Sequence, residues 1–123
     1  LGYPEVSWHQ TTAWQLDKNS SSHTLAVMFV ETSHKYHTNE DNFIYCIMNT
    51  IWESKSYQLP ELPLGFGWHI VADTARDEES FVKNPEHYRG GDVFVQPRSC
   101  MILVGKKISE ELRQTIDYAD GEV

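Results

Sequence analysis

The residues best equipped for chemistry in this sequence are its histidines, carboxylates and large aromatics, and their spacing decides what each can do. His34 and His37 stand three residues apart in the stretch ETSHKYHTNEDN (residues 31–42), beside Glu40 and Asp41. That places imidazole and carboxylate ligands on one loop. No second tight pair lies nearby in sequence, and a solvated polar loop accounts for the same residues, so no metal is expected there. His9, His23, His69 and His87 are scattered; each reads as a surface or hydrogen-bonded histidine rather than a ligand. No Gly-x-Ser-x-Gly elbow occurs, and Cys46 and Cys100 each sit in an apolar run (residues 43–48 and 100–104) where a thiolate is disfavoured. A glycosidase needs two carboxylates facing each other across a cleft, roughly 5 to 9.5 Å apart. Runs such as Asp77-Glu78-Glu79 read instead as a solvated face. The expectation is a chain with no catalytic residue, no cofactor and no metal.

Aromatics are the remaining class. Trp8, Trp14, Trp52 and Trp68, with Tyr36, Tyr45, Tyr57 and Tyr88, have ring faces that match the C–H face of a pyranose. Trp68 and Tyr45 fall in strand-like runs and are assigned to the core, because large aromatics dominate the interiors of small β domains. Trp52, at the end of an expected hairpin, and Tyr36, in the long polar loop, are the candidates for contact with carbohydrate. For Trp52, packing inward beside Tyr57 is the favoured expectation. The stretch Gly65-Phe66-Gly67 resembles a ligand loop only superficially: a phosphate-cradling loop follows a strand and opens a helix, whereas these glycines follow prolines and precede a strand. They read as punctuation.

The elements that must position these residues are short, β-branched and aromatic, and separated by turn chemistry. TLAVMFV (residues 24–30) and FIYCIM (residues 43–48) are nearly continuous apolar runs, so both are expected to be central strands with packed neighbours on each face. Residues 54–59 alternate with Tyr57 and Leu59 on one face, and are expected to close a hairpin with the preceding strand. Pro60 and Pro63 make residues 60–67 a connection, and a strand opens near Trp68. Residues 74–91 form an excursion with a helical turn near residues 78–82. Residues 92–96 and 100–104 are expected to pair around Pro97, Arg98 and Ser99. Beyond Gly105, Ile108, Leu112, Ile116 and Ala119 recur at helical spacing, with Ser109 as N-cap. At least six strands in about a hundred residues point to an all-β, antiparallel β-sandwich, preferred over a closed barrel, with a short C-terminal helix in the tail.

The chain has 123 residues and a net charge of -8. That length supports one core, and the scattered basic residues exclude a nucleic-acid surface, which needs clustered Lys and Arg. No apolar run approaches the roughly 18 residues of a membrane span, so no membrane partner is expected. The cysteines read as two core thiols or as a bridge between neighbouring strands, and a reducing cytoplasm is slightly favoured. Leu1 is not an initiator Met, so the chain is expected to be part of something longer.

The order of segments carries a resemblance. VSWHQ (residues 6–10), SHTLAVMF (22–29), NFIYCIMNTIWESKSYQLPELP (42–63), WHIVADT (68–74) and RSCMILV (98–104) together resemble the C-terminal β-domain of glycogen-debranching enzymes, the isoamylase and pullulanase-like branch of glycoside hydrolase family 13 (the α-amylase superfamily). The most specific portion is the strand ending at Asn49, the turn with Trp52-Glu53, the strand ending at Leu59-Pro60, and the Trp-led strand ending at Asp73-Thr74. Gln10 and Thr50 depart from the family pattern, which favours a small residue and Ala there. The resemblance implies residues 1–105 as the β-sandwich domain and leaves residues 106–123 outside it. It also implies a parent that hydrolyses α-1,6-glucosidic linkages with carboxylates in a preceding (β/α)8 barrel, against which this domain packs. Three readings follow. An accessory domain predicts an apolar patch matching the barrel, an independent α-glucan-binding module predicts an aromatic platform, and a small metal protein or enzyme using His34 and His37 predicts a bound ion.

Overall fold

The computed structural model describes residues 3–16, 23–31, 43–76 and 79–108. Within them the chain is all-β and antiparallel: β1 (Val6–His9), β2 (Thr24–Val30), β3 (Phe43–Asn49), β4 (Lys55–Gln58), β5 (Phe66–Asp73), β6 (His87–Tyr88), β7 (Asp92–Val95) and β8 (Ser99–Lys107). Six strands form one sheet in the order β1-β2-β3-β8-β5-β6, and β4 and β7 form a second. The core lies between the two. Tyr45, Ile47, Met28, Leu103 and Trp68 from the large sheet meet Tyr57, Val93 and Val95 from the small one. The sandwich expected from the sequence is therefore present.

Its connections differ from the expected ones in ways that matter. The segment after β3 does not fold back as a hairpin: β4 pairs with β7 in the other sheet, so the turn at residues 50–54 carries the chain across the core. Likewise β7 and β8 flank Pro97 and Arg98 but belong to different sheets; β8 instead lies between β3 and β5. Short apolar runs announce strands, but pairing is non-local and leaves no mark in either run. No helical turn forms at residues 79–82. Phe81 bridges Ala72, and the Val82 N–H donates to the Val71 carbonyl at 2.9 Å. β8 runs two residues past Gly105 to Lys107. The helix expected beyond it, apart from Ile108, lies outside the described residues.

Both glycines of Gly65-Phe66-Gly67 have structural reasons. Gly65 has φ 89°, a turn conformation that favours glycine. Gly67 is already inside β5, which starts two residues earlier than expected, and a Cβ there would lie 2.3 Å from Cδ2 and Nε2 of His87. Only a bare α-carbon lets the imidazole lie against the strand.

Candidate functional site

The alternation along the large sheet defines two faces with unexpected contents. On β1 it is Ser7 and His9 that point into the core, whereas Val6 and Trp8 point out. His9 is fully buried and satisfied at both nitrogens. The Trp14 backbone N–H donates to Nδ1 at 2.7 Å, which leaves Nε2 to donate to the Ser7 hydroxyl at 2.7 Å. Burial holds the imidazole below its ordinary pKa, so it is neutral in the fold. Two deep phenols, Tyr45 and Tyr57, are pushed up by burial, Tyr45 further by Tyr57. Neither hydroxyl is hydrogen-bonded; the Thr24 side chain opposes the rise at Tyr57 but lies outside hydrogen-bonding geometry. Neutral, buried and aromatic, these groups support packing rather than proton transfer.

The outer face is the larger surprise. The register places Trp8, Val27, Cys46 and Ile102 in one row across β1, β2, β3 and β8. Val6, Phe29, Ile44 and Val104 form the row beside it, and Leu25, Met48 and Cys100 the row on the other side. None of these positions carries a charge. A one-sided antiparallel sheet normally shows polar residues to water, yet Trp8 is 52% exposed and Phe29 44%. The expectation that β2 and β3 have packed neighbours on both faces holds only in part: on the outer side Val27 is buried and Leu25, Cys46 and Met48 are half-buried, whereas Phe29 and Ile44 are exposed and no described strand is layered over them. The cysteines are corrected with them. Cys46 is partly exposed and Cys100 exposed, both free and both on this face. Burial, and then the neighbouring Cys100, raise the Cys46 thiol.

Trp52 does not fold inward. It is 77% exposed, and the Arg98 guanidinium lies over its ring at 3.4 Å from the centroid. The turn that presents it is tied at several points. Asn49, at the end of β3, donates from Nδ2 towards the carbonyls of Glu53 (3.0 Å), Gln96 (3.1 Å) and Val95 (3.2 Å), and its Oδ1 accepts from the Ile51 N–H. Arg98 sits at φ 52° and donates its N–H to the Ile51 carbonyl at 3.1 Å. Asn49 was legible only as a strand end; its fastening role required the β7–β8 connection to lie alongside.

The other aromatics sort themselves clearly. Trp68 is buried, with its indole N–H on the Pro60 carbonyl at 2.8 Å, and Tyr45 packs against it. Both match the core assignment. Trp14 is half-exposed beside His9. Tyr36, His34, His37, Glu40 and Asp41 lie outside the described residues, as do Asp77 and Glu78. Among the described residues no three His, Cys, Asp or Glu side chains gather as metal ligands, and no helix is long and apolar enough to cross a membrane. Searches against protein-family models and curated proteins find no match to this chain.

Proposed function

We propose that this chain is the non-catalytic C-terminal accessory domain of a debranching-type glycoside hydrolase, and that it docks on the parent's (β/α)8 barrel through the outer face of its six-stranded sheet. The parent would hydrolyse α-1,6-glucosidic linkages of glycogen or starch. The observation that carries this reading is the uninterrupted apolar outer face, from Trp8 across to Ile102 and Val104. Apolar surface of this extent favours burial against a partner, and the order of sequence segments resembling that family names which partner. The strand-end Asn49, the exposed Trp52 and the Trp68–Pro60 hydrogen bond give physical roles to the residues that carry the resemblance. Free thiols at Cys46 and Cys100 suit a parent kept in a reducing cytoplasm.

The test combines the barrel encoded upstream of this domain with the isolated chain. Alkylation of Cys100 should be fast in the free chain and slowed when the barrel is added, and Phe29→Lys should abolish that protection in a variant that still folds. Unchanged labelling of Cys100 in the presence of the barrel, or a coding sequence with no barrel, overturns the docking reading. Release of reducing sugar from pullulan by the purified chain overturns the non-catalytic part. The exposure of Trp52 supports a second reading, an α-glucan-binding module. Saturable binding of maltoheptaose that is lost in Trp52→Ala would establish it.

A further inference from the structure

Three sulfur-bearing side chains meet on the outer face of the large sheet. Cys46 and Met48 stand two residues apart on β3 and project to the same side, and Cys100 on β8 lies directly opposite Met48. We propose that Cys46, Met48 and Cys100 form a three-sulfur site for a soft monovalent cation, copper(I), with two thiolate ligands and one thioether. This does not rest on the docking reading: all three ligands come from one chain, so the site exists with or without a barrel.

The pairing register supplies the geometry. Residues directly opposite on antiparallel strands have Cβ atoms about 4.5 to 5.5 Å apart, and diagonal neighbours such as Cys46 and Cys100 have α-carbons about 7 to 8 Å apart. A disulfide needs Cβ atoms at roughly 3.5 to 4.5 Å, so the diagonal is too wide for one, and both thiols are free. Two metal–sulfur bonds of about 2.3 Å would instead hold the sulfurs about 4 Å apart at a trigonal centre, a span that suits the diagonal. Met48 neighbours both cysteines, and its unbranched side chain can turn the thioether towards the same point. The Cys46 thiol is raised by burial and then by Cys100, so the two groups lie close enough to feel each other's charge. Cys100 is also held from the side: its N–H donates to Thr74 Oγ1 at 2.9 Å, and its carbonyl accepts from the Thr74 N–H at 3.0 Å. Little backbone ordering is left for a ligand to impose.

The ligand set selects the ion. Thiolate and thioether are soft donors that favour copper(I), whereas magnesium and calcium need oxygens and zinc completes a tetrahedron. The outward positions around the sulfurs, Leu25, Val27 and Ile102, are apolar and supply no fourth ligand. Binding releases the two thiol protons to solvent as two copper–thiolate bonds form; the thioether gives a lone pair and loses no proton, and no electron is transferred. Cys100 is exposed while Cys46 and Met48 are half-buried, so the ion enters from the Cys100 side.

The experiment is an anaerobic titration of the reduced chain with copper(I) in competition with bicinchoninate, followed by X-ray absorption at the copper edge. One ion per monomeric chain, with three sulfur neighbours, supports the site. Cys46→Ser and Cys100→Ser should each lose more than the roughly 100-fold that removal of an outer-shell partner costs at most, with amide spectra that show the fold intact. Met48→Leu conserves volume; it should weaken binding and leave copper with two sulfur neighbours. Failure to compete with bicinchoninate, or full affinity in Cys100→Ser, overturns the proposal. Half an ion per chain with a dimer on size exclusion overturns the single-chain site, and a Met48→Leu variant with unchanged affinity and coordination overturns the thioether ligand. Stoichiometric displacement of copper(I) by zinc overturns the selectivity.

Discussion

Replacing Asn49 with alanine removes a side chain that ties the end of β3, the turn carrying Trp52 and the strand of the opposite sheet together. Its Nδ2 reaches three carbonyls, those of Glu53, Val95 and Gln96, and its Oδ1 accepts from the Ile51 N–H. An amide nitrogen carries two hydrogens, so three acceptors share two donors, and the loss amounts to about three hydrogen bonds at about 1 kcal/mol each. Glu53 and Gln96 are exposed and their carbonyls can turn to water, but Val95 is fully buried; its weakened satisfaction adds roughly 1 kcal/mol. The expected cost is about 3 to 4 kcal/mol. With a urea m-value of roughly 1.5 kcal/mol/M for a chain of this size, the unfolding midpoint should fall by roughly 2 M. Asn49→Asp keeps the shape but replaces the donors with a carboxylate facing three carbonyls. That carboxyl would be held above its ordinary pKa of about 3.9 in the fold, so the variant should regain stability relative to wild type as the pH is lowered towards that value. A midpoint shift below about 0.7 M for Asn49→Ala at unchanged m-value would refute the fastening role.

Trp68→Ala should cost about 3 to 5 kcal/mol in chemical denaturation, and Trp68→Phe about 1 to 2 kcal/mol, chiefly the bond to the Pro60 carbonyl; an unchanged midpoint for the alanine variant contradicts its place in the core. Gly67→Ala should drive the His87 ring and β6 off β5, since the new Cβ would sit 2.3 Å from the imidazole, at a cost of about 1 to 3 kcal/mol. Adding His87→Ser should return part of that stability, and failure of the pair to couple would show that the close approach is not the cause. Folded-state depression of the His9 pKa below 6.5 means that the unfolded chain takes up the proton first, so stability present above that pH is lost as the pH falls below it. The fall in melting temperature between about pH 7 and pH 5 should be shallower in His9→Gln than in wild type; equal slopes would place the titration elsewhere.

Much of this architecture is legible locally. Residues 24–30 and 43–48 read as strands because they are apolar runs of seven and six residues, strand length, containing β-branched and aromatic residues, and Pro60 and Pro63 rule out a ladder through residues 60–63. Trp68 and Tyr45 were assignable to the core on size and context. What the local pattern could not carry was partnership. A run such as FIYCIM says that both faces of β3 repel water, but not that one is closed by Tyr57 and Val95 while on the other Ile44 is exposed and no described strand is layered over it. Whether β4 returns beside β3 or crosses to β7 depends on where β8 inserts, a choice made by contacts far apart in the chain.

The candidate surfaces divide in the same way. Ten basic residues against eighteen acidic ones, scattered along the chain, make a polyanion-binding surface an unfavourable expectation from sequence, because such a surface needs clustered Lys and Arg. The sequence also determined the all-β class, since a strand's period of two residues is a local property of side-chain order. Only the tertiary structure decided that Trp52 stands out in solvent beneath Arg98, and that Cys46, Met48 and Cys100 share an outward face. Each depends on a pairing register or a turn crossing between sheets, and a one-residue slip of β3 or β8 would turn Cys46 or Cys100 to the other face.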